Sequence, residues 1–295
     1  MPEIVFRHAT KAFDEESGLF DFSIEIEKGQ AFGLLGPAGA GKSTALSLLM
    51  GFLKPDEGEV QIRGLDCFAK RYVLMKDIGF VPRDAQLPPR TTGESFFRLL
   101  SAMRGDQYRR RAQKLMEQLD INPLGNWHHM LPDARRKVVL LLGLLHDAPI
   151  LLLDEPCAGL DPNARNAMLE LIAEERKAGK TIFMVSHVFE EVQRTCDMLG
   201  IIRQGRLVTV QSAQSLSYTR QKVYHITFAD IAQAAAFAQE WETGVELLRN
   251  RVIVAVPASP QVLLKTLVKY DVLDLVGGRE ELEDSLLRAF GGDLV

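Results

Sequence analysis

The sequence predicts an α/β fold with a smaller α+β unit behind it, and three observations lead there. Ala31-Phe32-Gly33-Leu34-Leu35, Ile150-Leu151-Leu152-Leu153 and Thr181-Ile182-Phe183-Met184-Val185 are short apolar runs that read as buried parallel strands, and helical segments follow the first two. The first run joins its helix through a glycine-rich loop, Gly36-Pro37-Ala38-Gly39-Ala40-Gly41-Lys42-Ser43-Thr44. A composition shift over residues 212–219 then separates this region from a compact alternation of strands and helices. The expected domains are therefore 1–212, with a helical subdomain at about 90–147, and an accessory α+β domain at 220–295.

Ile4-Val5-Phe6 opens a strand, and Phe22-Ser23-Ile24-Glu25-Ile26 alternates as a half-buried one does. Residues 59–62 and 78–82 are further short strands, the second ended by Pro82. Helices are expected over 91–103, with Phe96, Phe97, Leu99 and Leu100 on its apolar side, over 108–119, and over 132–147. Asp161-Pro162 starts a helix that Gly179 stops. Residues 199–202 and 206–210 flank a Gln204-Gly205 turn as a hairpin. In the accessory domain, strands at 223–228, 252–256 and 272–276 alternate with helices at 231–241, 260–270 and 280–290, an order that suggests a ferredoxin-like unit.

The formal net charge of −4 argues against a nucleic-acid-coating protein. Three widely spaced cysteines, Cys67, Cys157 and Cys196, show no metal-type pairing and read as inert thiols in a reducing compartment. The N-terminus lacks a signal-peptide apolar region, and the most apolar stretch, 138–145, is too short to span a bilayer. The expected location is cytoplasmic, peripheral on the inner face of the membrane through a partner.

The loop at 36–44 fits G-x-x-x-x-G-K-[ST]. Its backbone N–H groups and the following helix N-terminus form an anion nest, with Lys42 directed to the β- and γ-phosphates and Ser43 to Mg²⁺. Asp154-Glu155 ends the apolar strand, which sets Asp154 beside that cation and Glu155 where it polarises an attacking water. His187 directly follows the 181–185 strand and can hydrogen-bond a γ-phosphate and hold the water in line.

These residues, in this order, resemble the ATP-binding cassette (ABC) family over roughly residues 3–211. The loop resembles Walker A, 150–155 Walker B, Ala158-Gly159-Leu160-Asp161 the D-loop and Ser186-His187 the H-loop. The resemblance implies a P-loop NTPase core of mixed sheet, an antiparallel β subdomain and a helical subdomain. It also implies ATP and Mg²⁺ as cofactors. Phe13 stands where the family places an aromatic that stacks on adenine; an ordinary core phenylalanine is the alternative.

Three positions depart from the family's pattern. Ala38 replaces the usual asparagine of the loop. Arg83 stands at the Q-loop glutamine, and it cannot coordinate a cation but can pair with phosphate. The L-S-G-G-Q signature falls on Leu131-Pro132-Asp133-Ala134-Arg135, where only leucine matches. Pro132 offers neither hydroxyl nor N–H, and Asp133 turns a negative charge toward a polyphosphate. At ~4 Å and an effective dielectric near 20 such repulsion reaches ~4 kcal/mol, which Arg135 and Arg136 would partly offset.

The chain's own site thus looks equipped, while what it offers a partner's ATP is degraded. This favours an asymmetric pair with a second ABC ATPase subunit; a slow homodimer is the alternative. The ending Glu281-Leu282-Glu283-Asp284-Ser285-Leu286 resembles the tail of ATPase subunits of ABC-2-type exporters, which implies integral membrane permease subunits as further partners. The expected function is an ATPase energising export, with a low-turnover regulatory nucleotide-binding subunit as the alternative.

Overall fold

The computed structural model describes residues 2–14, 17–84, 106–121, 130–213, 221–241, 245–257 and 260–278. The helices expected at 91–103 and 280–290 and the tail motif lie outside the described residues. The chain divides into two compact units, Met1–Ala213 and Gln214–Val295.

In the first unit, β1 (Ile4–Ala12), β2 (Gly18–Ile26), β4 (Glu57–Ile62) and β5 (Leu65–Asp66) form an antiparallel sheet in the order β2-β1-β4-β5. A second sheet carries β3 (Ala31–Leu35), β6 (Ile78–Val81), β7 (Ile150–Asp154), β8 (Thr181–Ser186), β9 (Met198–Arg203) and β10 (Arg206–Ser212) in the order β10-β9-β3-β8-β7-β6. All its pairings are parallel except β9–β10, the expected hairpin. The strands β3, β7 and β8 are buried along almost their whole length, as their unbroken apolar runs require. A column of rings ties the two sheets together. Phe6 meets Phe22 edge-on at 5.1 Å and lies 6.3 Å from Phe183, which stacks on Phe32 at 6.0 Å.

Six helices complete the described part of this unit: α1 (Lys42–Leu49), α2 (Arg71–Leu74), α3 (Asp106–Gln118), α4 (Pro132–Leu145), α5 (Pro162–Lys177) and α6 (Phe189–Thr195). The start of α5 follows the sequence signal closely. The Asp161 carboxylate accepts from the Asn163 and Ala164 N–H groups at 2.9 Å, and Pro162 fills the first turn. Gly179, at φ 86°, stops it. Arg111 of α3 donates to the Leu144 carbonyl at the end of α4 and pairs with Asp147 and Glu175, so one guanidinium joins three elements.

The second unit runs β11 (Gln221–Phe228), α7 (Ile231–Trp241), β12 (Val245–Leu248), β13 (Arg251–Pro257), α8 (Gln261–Leu267), β14 (Val272–Gly278). Its antiparallel sheet has the order β12-β13-β11-β14, which is the ferredoxin-like arrangement. Phe228, Phe237, Val252, Val254 and Leu263 fill its own core. The short strand β12 was absent from the sequence expectation and closes the βαββαβ pattern.

Candidate nucleotide site

The sheet order builds the site. Within β3-β8-β7-β6 the strands are parallel, and register sets Leu35 beside Ser186, Asp154 beside Val185 and Val81 beside Leu153. The loop at 36–41, His187, Glu155 and Arg83 therefore leave the same edge of the sheet, where parallel sheets bind ligands.

The loop is held from outside. A side chain at Gly36 would meet the Ile202 carbonyl at 2.3 Å, and one at Gly41 the Gly18 carbonyl at 2.5 Å. Gly41 also sits at φ 100°, a conformation only glycine adopts freely, and it leads directly into α1. The β9–β10 turn props the loop, with the Gly205 N–H donating to the Ala40 carbonyl at 3.0 Å. Lys42 is 6% exposed, and its ammonium donates to the loop's own Gly36 and Pro37 carbonyls. Ser43 is exposed beside it.

Burial raises the Asp154 carboxyl above its ordinary range, and the Glu155 charge adds to this; Arg83, Arg136 and Lys42 pull the other way. Glu155 itself is 5% exposed and takes a left-handed backbone conformation, φ 43°. Its Oε1 lies 3.3 Å from His187 Nδ1 and 3.4 Å from an Arg83 guanidinium nitrogen. Its Oε2 is buried with no hydrogen-bond partner among the described residues. An unpaired buried carboxylate oxygen is costly, and it marks an acceptor position for a water.

A cleft of about 250 Å³ opens between Glu155, the 157–160 turn, Ser186, His187 and Glu191. The Ser186 hydroxyl donates to Glu191 at 2.9 Å, and Arg165 pairs with the same carboxylate at 2.9 Å. Glu191 thus fixes the segment before His187 against the helix that follows the D-loop. Burial raises its carboxyl. Cys157 faces the cleft with its thiol pushed up to about 12 by burial, so it stays a thiol near neutral pH.

Several site features were not legible in the sequence. Arg136, expected to lie near a partner's phosphates, is 7% exposed and points inward. Its guanidinium donates to the carbonyls of Pro82, Arg83, Asp154 and Glu155 at 2.6–3.3 Å, so it clamps the ends of β6 and β7 together. Helical spacing from Val139, Leu140 and Gly143 would have set it on the buried face of α4. Asp133, expected to repel phosphate, has its charge taken by Lys137 at 3.5 Å, and Lys137 also reaches Asp161 at 3.4 Å. Arg83 pairs with Glu155, a contact that only the β6–β7 neighbourhood reveals. Phe13 is 57% exposed at the β1–β2 turn, so it is no core phenylalanine.

A buried strand, a glycine loop, a helix and a neighbouring acid-tipped strand define a P-loop nucleotide hydrolase. The chain belongs to the ABC transporter family, whose model matches residues 19–158. It is 30% identical to the linearmycin resistance ATP-binding protein LnrL of Bacillus subtilis strain 168, over 70% of this chain and 68% of that one. It is also 30% identical to the Nod factor export ATP-binding protein I of Burkholderia orbicola strain AU 1054, over 99% and 98% of the two chains. The dimeric post-hydrolysis structure of the ATP-binding cassette MJ0796, bound to ADP and Pi, shares the fold with a TM-score of 0.63 at 22% identity, over 71% of this chain and 98% of that one. The chain is an ATP-binding subunit of the ABC transporter family. Among the described residues no helix is long and apolar enough to cross a membrane, and no cluster of three metal-ligating side chains occurs.

Proposed function

We propose that this chain hydrolyses ATP to energise export through a separate integral membrane permease, from the cytoplasmic face and in a pair with a second cassette. The export reading is supported by relatives named for Nod factor export and linearmycin resistance. The observation that carries the catalytic reading is the convergence of Lys42, Asp154, Glu155 and His187 on one sheet edge.

In this reading Gly36, Pro37, Ala38, Gly39, Ala40, Gly41, Lys42, Ser43 and Thr44 wrap the phosphates, which backbone N–H groups of the loop cradle, Pro37 having none to offer, and Phe13 stacks on the base. Lys42 leaves its loop carbonyls for the phosphate oxygens. Glu155 takes the proton of the attacking water through its unpartnered Oε2, and His187 holds the γ-phosphate in line. Ser43 and Asp154 would hold Mg²⁺, and the donor set fits: one hydroxyl and one carboxylate suit a cation that draws its other ligands from phosphate and water. When bound there, the cation would supply neutralisation of phosphate charge. The catalytic domain would span 1–212 and the accessory domain 220–295.

A second reading, a low-turnover regulatory subunit, is favoured by the Arg83–Glu155 pair and by the use of Asp133 inside the chain. One experiment separates the two. Glu155→Gln should lower ATP turnover at least ~100-fold while ATP binding is kept. Near-normal turnover in that variant would remove Glu155 from the mechanism, and equal, negligible turnover of wild type and variant with a partner present would favour the second reading.

A further inference from the structure

We propose that Arg83 is a γ-phosphate ligand that rests on the general base until ATP arrives, so that one side chain reports the terminal phosphate to Glu155. The proposal rests on the phosphate-site reading above. Arg83 follows β6, and Arg136 fixes its main chain by taking the carbonyls of both Pro82 and Arg83. The backbone is thereby anchored beside the site while the side chain stays about half exposed, at 54%.

The guanidinium reaches Glu155 by one contact, 3.4 Å to Oε1, and His187 Nδ1 crowds the same oxygen at 3.3 Å. A single contact to a half-exposed arginine lacks the two parallel bonds that make such pairs strong, and it is readily exchanged. A terminal phosphate carries more charge than one carboxylate and offers three acceptor oxygens, a geometry that suits the guanidinium fork. The proposed metal-side carboxylate is also in reach of this charge, since Arg83 and Lys42 both act on Asp154. Arg83 therefore stands within the field of the site and outside its packed shell.

The consequence is an ordered exchange. Without a γ-phosphate, Arg83 stays on Glu155 and occupies its carboxylate. With one, the guanidinium moves to the phosphate and Glu155 is free to take a proton from water. Nucleoside diphosphate cannot trigger the exchange, so Arg83 should add to the discrimination between ATP and ADP that His187 also makes.

The test is equilibrium binding of the β,γ-imido analogue of ATP, and of ADP, to the full chain with Mg²⁺ present. Arg83→Gln should weaken the triphosphate about tenfold and leave ADP within about twofold, and Arg83→Lys should recover part of the loss. Glu155→Gln removes the resting partner, so it should tighten the triphosphate several-fold, and that gain should vanish when Arg83 is also glutamine. Equal changes for both nucleotides, or a Glu155→Gln gain that survives in the double variant, would overturn the proposal. Lys42→Ala should abolish binding of both nucleotides. Unchanged binding there would overturn the phosphate-site reading itself, whereas its loss alongside an inert Arg83→Gln would overturn the Arg83 proposal alone.

Discussion

The end of β7 and the start of α4 are the two places where a cassette of this family meets ATP, its own and its partner's, and this chain has treated them in opposite ways. At β7, burial raises the Asp154 carboxyl, and a buried Glu155 carboxylate oxygen has no partner among the described residues. At α4, the polar groups are spent inside the chain: Asp133 and Asp161 share Lys137, and Arg136 is bound to four carbonyls. Glu155 Oε2 is buried without a partner among the described residues, as are Gln118 Oε1 and Arg136 Nε, and beside the phosphate loop such an acceptor suits a water; the Asp133–Lys137–Asp161 ion pairs are complete without one. In the proposed reading the β7 end is the reactive one and the α4 end holds itself together.

Arg136 offers the largest effect, because it belongs to both ends at once. Arg136→Met should leave four carbonyls, buried or partly buried, short of a donor and lower stability by about 3 kcal/mol, an apparent melting shift on the order of 10 °C. A melt within a degree or two of wild type would mean that the clamp does not join the two regions. A smaller effect is expected at Lys137, whose pairs are partly exposed. Lys137→Met should cost roughly 2 °C in a thermal melt and more at low salt than at high salt. A loss comparable to that of Arg136 would show the signature end to be structurally more important than the contrast allows.

The parts of the site that were legible in the sequence are those where backbone chemistry limits the residue type. The loop at 36–44 was readable because a phosphate nest needs glycines at fixed places, and Gly41 sits at φ 100° with the Gly18 carbonyl 2.5 Å from where a Cβ would stand. The Asp161-Pro162 cap and the buried run of β7 were readable for the same reason. What escaped were partnerships across elements. Arg136 and Lys137 look like surface charges in a line of text, and only the packing of α4 on β6 turns them inward or sideways. Arg83 gave away the loss of a metal ligand, yet its pairing with Glu155 depends on strand order. In the accessory unit, Val245-Glu246-Leu247-Leu248 has no clean alternation of burial, so β12 emerged only from its pairing with β13.

The contrast between the two ends is tested most directly by giving the signature end back its function. The chain carrying Pro132→Ser, Asp133→Gly, Ala134→Gly and Arg135→Gln together should form a homodimer whose ATP turnover is at least about tenfold above that of the wild-type chain alone, and adding Glu155→Gln should remove the whole gain. Turnover that stays at the wild-type level in the restored chain, with ATP still bound, would contradict the claim that the β7 end is competent and lacks only a signature.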